Sequence, residues 1–230
     1  MRVLIVNINL DPTELAGCNA IADSIEQDAA RLDLTPPPEV KIRPWRTLLD
    51  PTGTLAVDLQ KWSPEAVIIG PNGTPFPAYP SAFDRFLAWI RARRGPTLGI
   101  CGGHQAMALA HGAPVGPVHP VPAATTTYAG MPRVEGMTNM RLLGDYDPLL
   151  DGLPDELEVV SSHVDEVKDI PPGFRLLALG ERSKIQILRA DRRPLWGVQF
   201  HPERGTGPER QILMNFLRFA SKKKTEPEFQ

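Results

Sequence analysis

Four unbroken apolar runs punctuate the chain: Val3–Val6, Ala66–Ile69, Leu98–Ile100 and Leu195–Val198. Runs that do not alternate with polar positions suit strands buried on both faces, as in a parallel sheet covered by helices. Between them the pattern changes to a helical period. Ala20, Ile21, Ile25, Ala29 and Leu32 share one face after the first run. Ser81, followed three residues later by Asp84, reads as a capped start to a helix whose apolar face is Phe83, Phe86, Leu87 and Ile90. A last helix, after Pro208, places Ile212, Leu213, Phe216 and Leu217 on one side. Strand alternating with helix predicts an α/β fold with an open, mostly parallel, doubly wound sheet flanked by helices. From Gly112 to Glu158, prolines, threonines and scattered apolar residues predict loops and short strands, a small extra β region.

Composition adds mainly exclusions. Proline is the one departure, with 25 in 230 residues clustered in the connections around 36–38, 71–80 and 114–122. Lys+Arg 25 against Asp+Glu 27 gives a net charge of −2, which supplies no electrostatic ground for a nucleic-acid or anionic-membrane partner. No apolar run approaches the roughly 18–20 residues a membrane span needs. Met1–Ile8 reads as a strand and lacks a signal-peptide layout. Two cysteines, Cys18 and Cys101, cannot build a disulfide framework, so the expected setting is the reducing cytoplasm. One domain over residues 1–221 is expected, with 222–230, including Lys222, Lys223 and Lys224, as a flexible tail. The histidines and cysteines have no zinc spacing, and neither a phosphate-binding loop nor a dinucleotide glycine fingerprint follows the first strand. No metal and no cofactor are expected.

The chemistry concentrates at Gly99-Ile100-Cys101-Gly102-Gly103-His104-Gln105. An apolar strand ends at Ile100 and a helical pattern starts at once, with glycines on both sides of Cys101. This is the layout of a nucleophile elbow with Cys in the place of Ser. Glycines relieve crowding at a sharp strand-to-helix turn, and a helix N-terminus beside a thiol favours the thiolate. The Gly102 N–H is then placed to stabilise an oxyanion. Cys18 lacks such a bracket and reads as structural. A nucleophilic thiol needs a base, and the base needs an orienting group. Gly197-Val198-Gln199-Phe200-His201-Pro202-Glu203 offers both: His201 emerges after a strand, and Glu203 can turn back onto its imidazole.

Together these two segments resemble the class I, triad-type glutamine amidotransferases, whose patterns are G-x-C-x-G-x-Q and G-V-Q-F-H-P-E. Both occur in full and in order, and the resemblance runs from the first strand to the last helix. It implies a flavodoxin-like sheet and a Cys101–His201–Glu203 triad that hydrolyses the side-chain amide of glutamine through a thioester. It also implies that Gln105 helps hold glutamine. Ile68 to Pro75 is similar to the family's glycine–proline oxyanion loop, with one residue more than the common spacing, so either Gly70 or Gly73 is expected to give the second N–H. Val160 to Val167 is similar to a stretch of GMP-synthetase glutaminases, in which Ser162 and His163 would lie against the substrate.

Ammonia made by such a domain is normally used by a synthetase, so a separate ammonia-accepting synthetase subunit is the expected partner beside glutamine. A self-sufficient hydrolase of γ-glutamyl amides or peptides with the same triad is the alternative. A degenerate, purely binding member is a third reading, weakened by the presence of Cys101, His201 and Glu203. The role of residues 112–139, with Thr125-Thr126-Thr127-Tyr128, stays open between pocket wall and docking surface.

Overall fold

The apolar runs become neighbouring strands because each is covered on both sides. The structure, a computed structural model, describes residues 1–32, 34–122 and 125–222. The first half of the chain contains β1 (Arg2–Asn7), α1 (Ala16–Arg31), β2 (Glu39–Pro44), α2 (Val57–Trp62), β3 (Ala66–Ile69), α3 (Phe83–Ala92), β4 (Thr97–Ile100) and α4 (Gly102–Ala110). The second half contains β5 (Val115–Pro117), β6 (Val134–Leu142), β7 (Glu156–His163), β8 (Asp165–Val167), β9 (Phe174–Gly180), β10 (Ile185–Ala190), β11 (Leu195–Val198) and α5 (Gln211–Lys222). Of the expected tail 222–230, residues 223–230 lie outside the described residues.

One sheet of nine strands runs in the order β2-β1-β3-β4-β11-β10-β9-β6-β7. The five strands from β2 to β11 are parallel. The remaining four extend the sheet in antiparallel fashion. Residues alternate between two cores along β1: Val3 and Ile5 pack with α1 and α5, while Leu4 and Val6 pack with α3 and α4. Phe83, Phe86 and Ile90 supply the buried face of α3.

Two details depart from the sequence reading. Ser81 gives α3 no side-chain cap; backbone turns serve its first amides instead, Phe83 N–H to Pro80 O at 2.9 Å and Asp84 N–H to Ser81 O at 3.0 Å. The extra β region is also larger than short strands, because β6 and β7 pair over eight register positions. Their inward positions include Thr138, Ser161 and His163, which blur the apolar alternation that marks a half-buried strand. Thr138 and Ser161 satisfy each other at 2.8 Å, so these buried hydroxyls are paired.

Candidate active site

Parallel pairing sets Val198 opposite Ile100, so the segments that follow β4 and β11 leave the sheet together at its carboxyl edge. Open α/β sheets place their ligands at that edge. Cys101 is the first residue past β4 and is held by its own N–H, which donates to Val198 O at 2.8 Å. Its backbone takes φ 50° and ψ −102°, a region rare for a residue with a Cβ. The neighbouring glycines are demanded by contact. A Cβ on Gly103 would lie 2.1 Å from Ile69 O, and one on Gly99 would lie 2.5 Å from Gly103 O. A Cβ on Gly102 would lie 2.8 Å from Asn72 N. This close packing starts α4 directly at the sulfur, where its first N–H groups have no helical partner and carry the positive end of the dipole.

His201 follows β11 and is fixed by its N–H to Val160 O at 2.8 Å. Pro202 opens a single 3-10 turn that swings Glu203 back, and His201 Nδ1 lies 2.7 Å from Glu203 Oε1. Both side chains are buried. Burial by itself opposes the charged imidazole, but the Cys101 sulfur and then Glu203 more than offset it, raising the His201 pKa to about 10. His201 Nε2 and Cys101 Sγ converge on one carbonyl, Ser162 O, at 3.4 and 3.9 Å.

His163 faces a different fate. Its Nδ1–H donates to Asp165 O at 2.9 Å, and burial, with repulsion from His201, lowers its pKa to about 4. The imidazole is held neutral and lines the cavity wall. Gln105 Nε2 donates to Asp165 O at 2.6 Å and to Gln199 Oε1 at 3.2 Å, bracing α4 against the start of β8. Cys18 is packed beside Gly70, and burial, aided by Glu203, pushes its thiol up to about 12.

The glycine–proline loop sorts its N–H groups clearly. Gly70 N–H is spent on the sheet, donating to Val6 O at 3.0 Å. Pro71 has none. Gly73 N–H donates to Asn9 Oδ1 at 2.9 Å. Asn72 N–H alone of these four residues has no hydrogen bond to a described residue, and it lies beside Gly102.

Gly73, Cys101, Gln105, Ser162, His163 and His201 share one cavity of about 500 Å³. Gly70, Gly102 and Glu203 are not among the residues that line it. The size suits a small ligand. A cysteine at a strained elbow, a histidine oriented by a buried carboxylate and unpaired N–H groups beside the sulfur form the arrangement of a thiol-dependent acyl transferase.

A family profile described as glutamine amidotransferase class-I matches residues 23–219. The chain belongs to the class-I glutamine amidotransferases. It is 32% identical over 185 residues to a glutamine-hydrolyzing GMP synthase subunit of Pyrococcus abyssi, covering 76% of this chain and 90% of that one. It is 40% identical over 152 residues to an aminodeoxychorismate synthase of Streptomyces griseus, covering 65% of this chain but 19% of that larger protein. A crystal structure described as a GMP synthase subunit protein of Thermoplasma acidophilum superposes with a TM-score of 0.70 at 21% identity, over 97% of this chain and 96% of that one. That likeness shows the fold.

In this amidotransferase the sequence reading passes over Asn72 and leaves Tyr128 and Asp165 without an assigned role. Asn72 hides behind the search for a glycine, although a proline at 71 and a strand ending at Ile69 already leave position 72 as a free N–H. Tyr128 and Asp165 line the cavity, with Tyr128 Oη donating to Asp165 Oδ2 at 2.6 Å. Tyr128 thereby gives the open 112–139 region a place in the pocket wall. Its sequence neighbourhood of threonines carries no periodic signal that would place it there. No helix among the described residues is long and apolar enough to cross a membrane.

Proposed function

We propose that this amidotransferase is a glutaminase subunit whose Cys101 hydrolyses the glutamine side-chain amide and whose ammonia goes to a separate synthetase. The observation that carries the reading is the meeting of Cys101, His201 and Asn72 at one cavity, with Glu203 holding the imidazole and the Gly102 N–H next to Cys101 at the start of α4. Cys101 Sγ attacks the amide carbon, and the C=O electron pair moves onto oxygen, where the N–H groups of Gly102 and Asn72 receive it. His201 Nε2 delivers its proton to the amide nitrogen as the C–N bond breaks, and ammonia leaves. A water then gives a proton to His201 and its oxygen to the thioester carbon. Collapse of the second oxyanion expels the sulfur and yields glutamate. The sum is glutamine plus water to glutamate plus ammonia.

Glu203 holds Nδ1–H so that Nε2 faces the sulfur throughout. Asp165 Oδ2 is taken by Tyr128, and its carboxylate beside the cavity suits the α-ammonium of an amino acid. The link to a synthetase is supported by the relative that is named as one subunit of GMP synthase and matched over most of its length. Glutamate release from glutamine tests the reading, with Cys101→Ala alongside and the synthetase subunit of an archaeal-type GMP synthase supplied as acceptor. Release that depends on Cys101 and rises with the acceptor is expected. Release that survives Cys101→Ala would overturn it.

A further inference from the structure

We infer that Asn9 is a positioning residue for the oxyanion loop: its carboxamide clamps Gly73 so that the Asn72 N–H stays aimed beside Gly102. The inference rests on the reading that Cys101 forms a tetrahedral adduct, and it assigns a role to a segment that lies before the residues matched by the family profile.

The argument begins with what residue 72 needs. Upstream it is fixed, because Gly70 is hydrogen-bonded into the sheet and Pro71 has a locked φ. Downstream it meets Gly73, the residue type least able to hold a backbone direction. The Asn72 N–H lies on the Pro71–Asn72 peptide, whose remaining freedom is rotation about Pro71 ψ, and pinning the next peptide closes that freedom; Asn9 does so through Gly73 N–H to Oδ1 at 2.9 Å. Asn9 is itself restrained on three sides. Its N–H and its Nδ2 both donate to Asn7 Oδ1 at 3.0 Å, and Nδ2 donates to Glu14 O at 2.8 Å. Asn7 ends β1, is fully buried, and donates from Nδ2 to Pro12 O at 3.2 Å. The carboxamide orientation follows from its partners, since a carbonyl on one side and an N–H on the other allow only one assignment.

A second tie runs in parallel. Tyr79 Oη donates to Ile8 O at 2.6 Å and accepts from Asn72 Nδ2 at 3.1 Å. That tie, with Asn72 Nδ2 donating to Thr74 O at 2.6 Å, holds the Asn72 side chain and the far end of the loop, while the Gly73 N–H itself is held by Asn9. The chain Asn7–Asn9–Gly73 therefore carries the rigidity of the central sheet into a glycine-hinged loop. Asn9 lines the cavity but has no hydrogen bond to Cys101, His201 or Glu203 among the described residues, so it acts through Gly73.

The test reads the transition state apart from the ground state. Glutamate γ-semialdehyde adds the Cys101 sulfur to give a tetrahedral thiohemiacetal, and glutamine bound to Cys101→Ala reports ground-state binding. Asn9→Ala is expected to weaken semialdehyde binding by between about 10-fold and the roughly 10²–10³-fold that outright loss of an oxyanion donor costs in rate. Glutamine binding in the Cys101→Ala background and the rate of Cys101 alkylation by iodoacetamide should stay as they are. Asn9→Asp keeps an accepting oxygen for Gly73 but gives up the Nδ2 bonds to Asn7 Oδ1 and Glu14 O, so it should weaken semialdehyde binding less than Asn9→Ala, and a loss in the semialdehyde alone keeps the test decisive if Asn9→Ala does not fold. Unchanged semialdehyde binding, or an equal loss in both ligands, overturns the inference. A wild-type protein that binds no semialdehyde through Cys101 removes the parent reading and this one with it, a result distinct from an Asn9 effect.

Discussion

His201 Nδ1 and Glu203 Oε1 lie 2.7 Å apart with only Pro202 between them in the chain. Glu203 Oε2 is buried with no hydrogen-bond partner among the described residues, so the carboxylate acts through Oε1, which holds the imidazole and lies 3.8 Å from Arg204 Nε. Glu203→Gln keeps the shape and removes the charge that orients and sustains the imidazolium. We expect kcat for glutamine to fall by on the order of 10²–10⁴-fold with the fold intact. Steady-state kinetics with a circular-dichroism control checks this, and a loss confined to KM would contradict it.

The same pair predicts a pH signature in stability. Against burial, the Cys101 sulfur and then Glu203 raise the His201 pKa to about 10 in the folded protein from an ordinary 6.5, so Glu203→Gln removes part of that shift. A raised pKa means the folded state binds a proton more tightly, so its stabilisation is full below about 6.5 and is lost as pH climbs through about 10. The gap in melting temperature between the wild type and Glu203→Gln should therefore be wide near pH 6 and narrow steadily toward pH 10. A gap that widens with pH would reverse the sign of the argument.

Only one of the two cysteines should react in the native protein. Cys18 is buried and its thiol is pushed up to about 12, whereas Cys101 opens on the cavity. Mass spectrometry after iodoacetamide at pH 8 should find one adduct, on Cys101. Cys18→Ala should keep glutaminase activity. Labelling of Cys18 before unfolding would show that its packing is looser than described.

At the elbow, Gly103→Ala tests the close approach of α4 to β3. Its Cβ would sit 2.1 Å from Ile69 O, a backbone atom with no room to yield. A loss of about 1–3 kcal/mol or more is expected in urea unfolding. A neutral result would mean that the helix can back away from the strand.

What could be read from the sequence follows from how each signal is encoded. β1, β3, β4 and β11 are legible because strands covered on both faces need unbroken apolar runs. Cys101, His201 and Glu203 are legible because elbow and turn chemistry confine them to short motifs. β6 and β7 are not, since polar Thr138, Ser161 and His163 point inward, and Thr138 and Ser161 find each other only across the two strands. Asn9 and Asn72 are invisible for a similar reason: what matters about them is a backbone N–H and the residue that holds it, 64 positions away in the case of Gly73 and Asn9. Tyr128 gains its meaning only when Asp165 arrives beside it.

The most direct test of the central claim needs no partner protein. A diazo-ketone analogue of glutamine should alkylate this chain once, on the peptide that carries Cys101, and free glutamine should protect against the reaction. His201→Ala should slow it sharply. An adduct elsewhere, or alkylation of Cys101 that glutamine does not slow, would contradict the assignment of this cavity as a glutamine site served by the Cys101–His201–Glu203 triad.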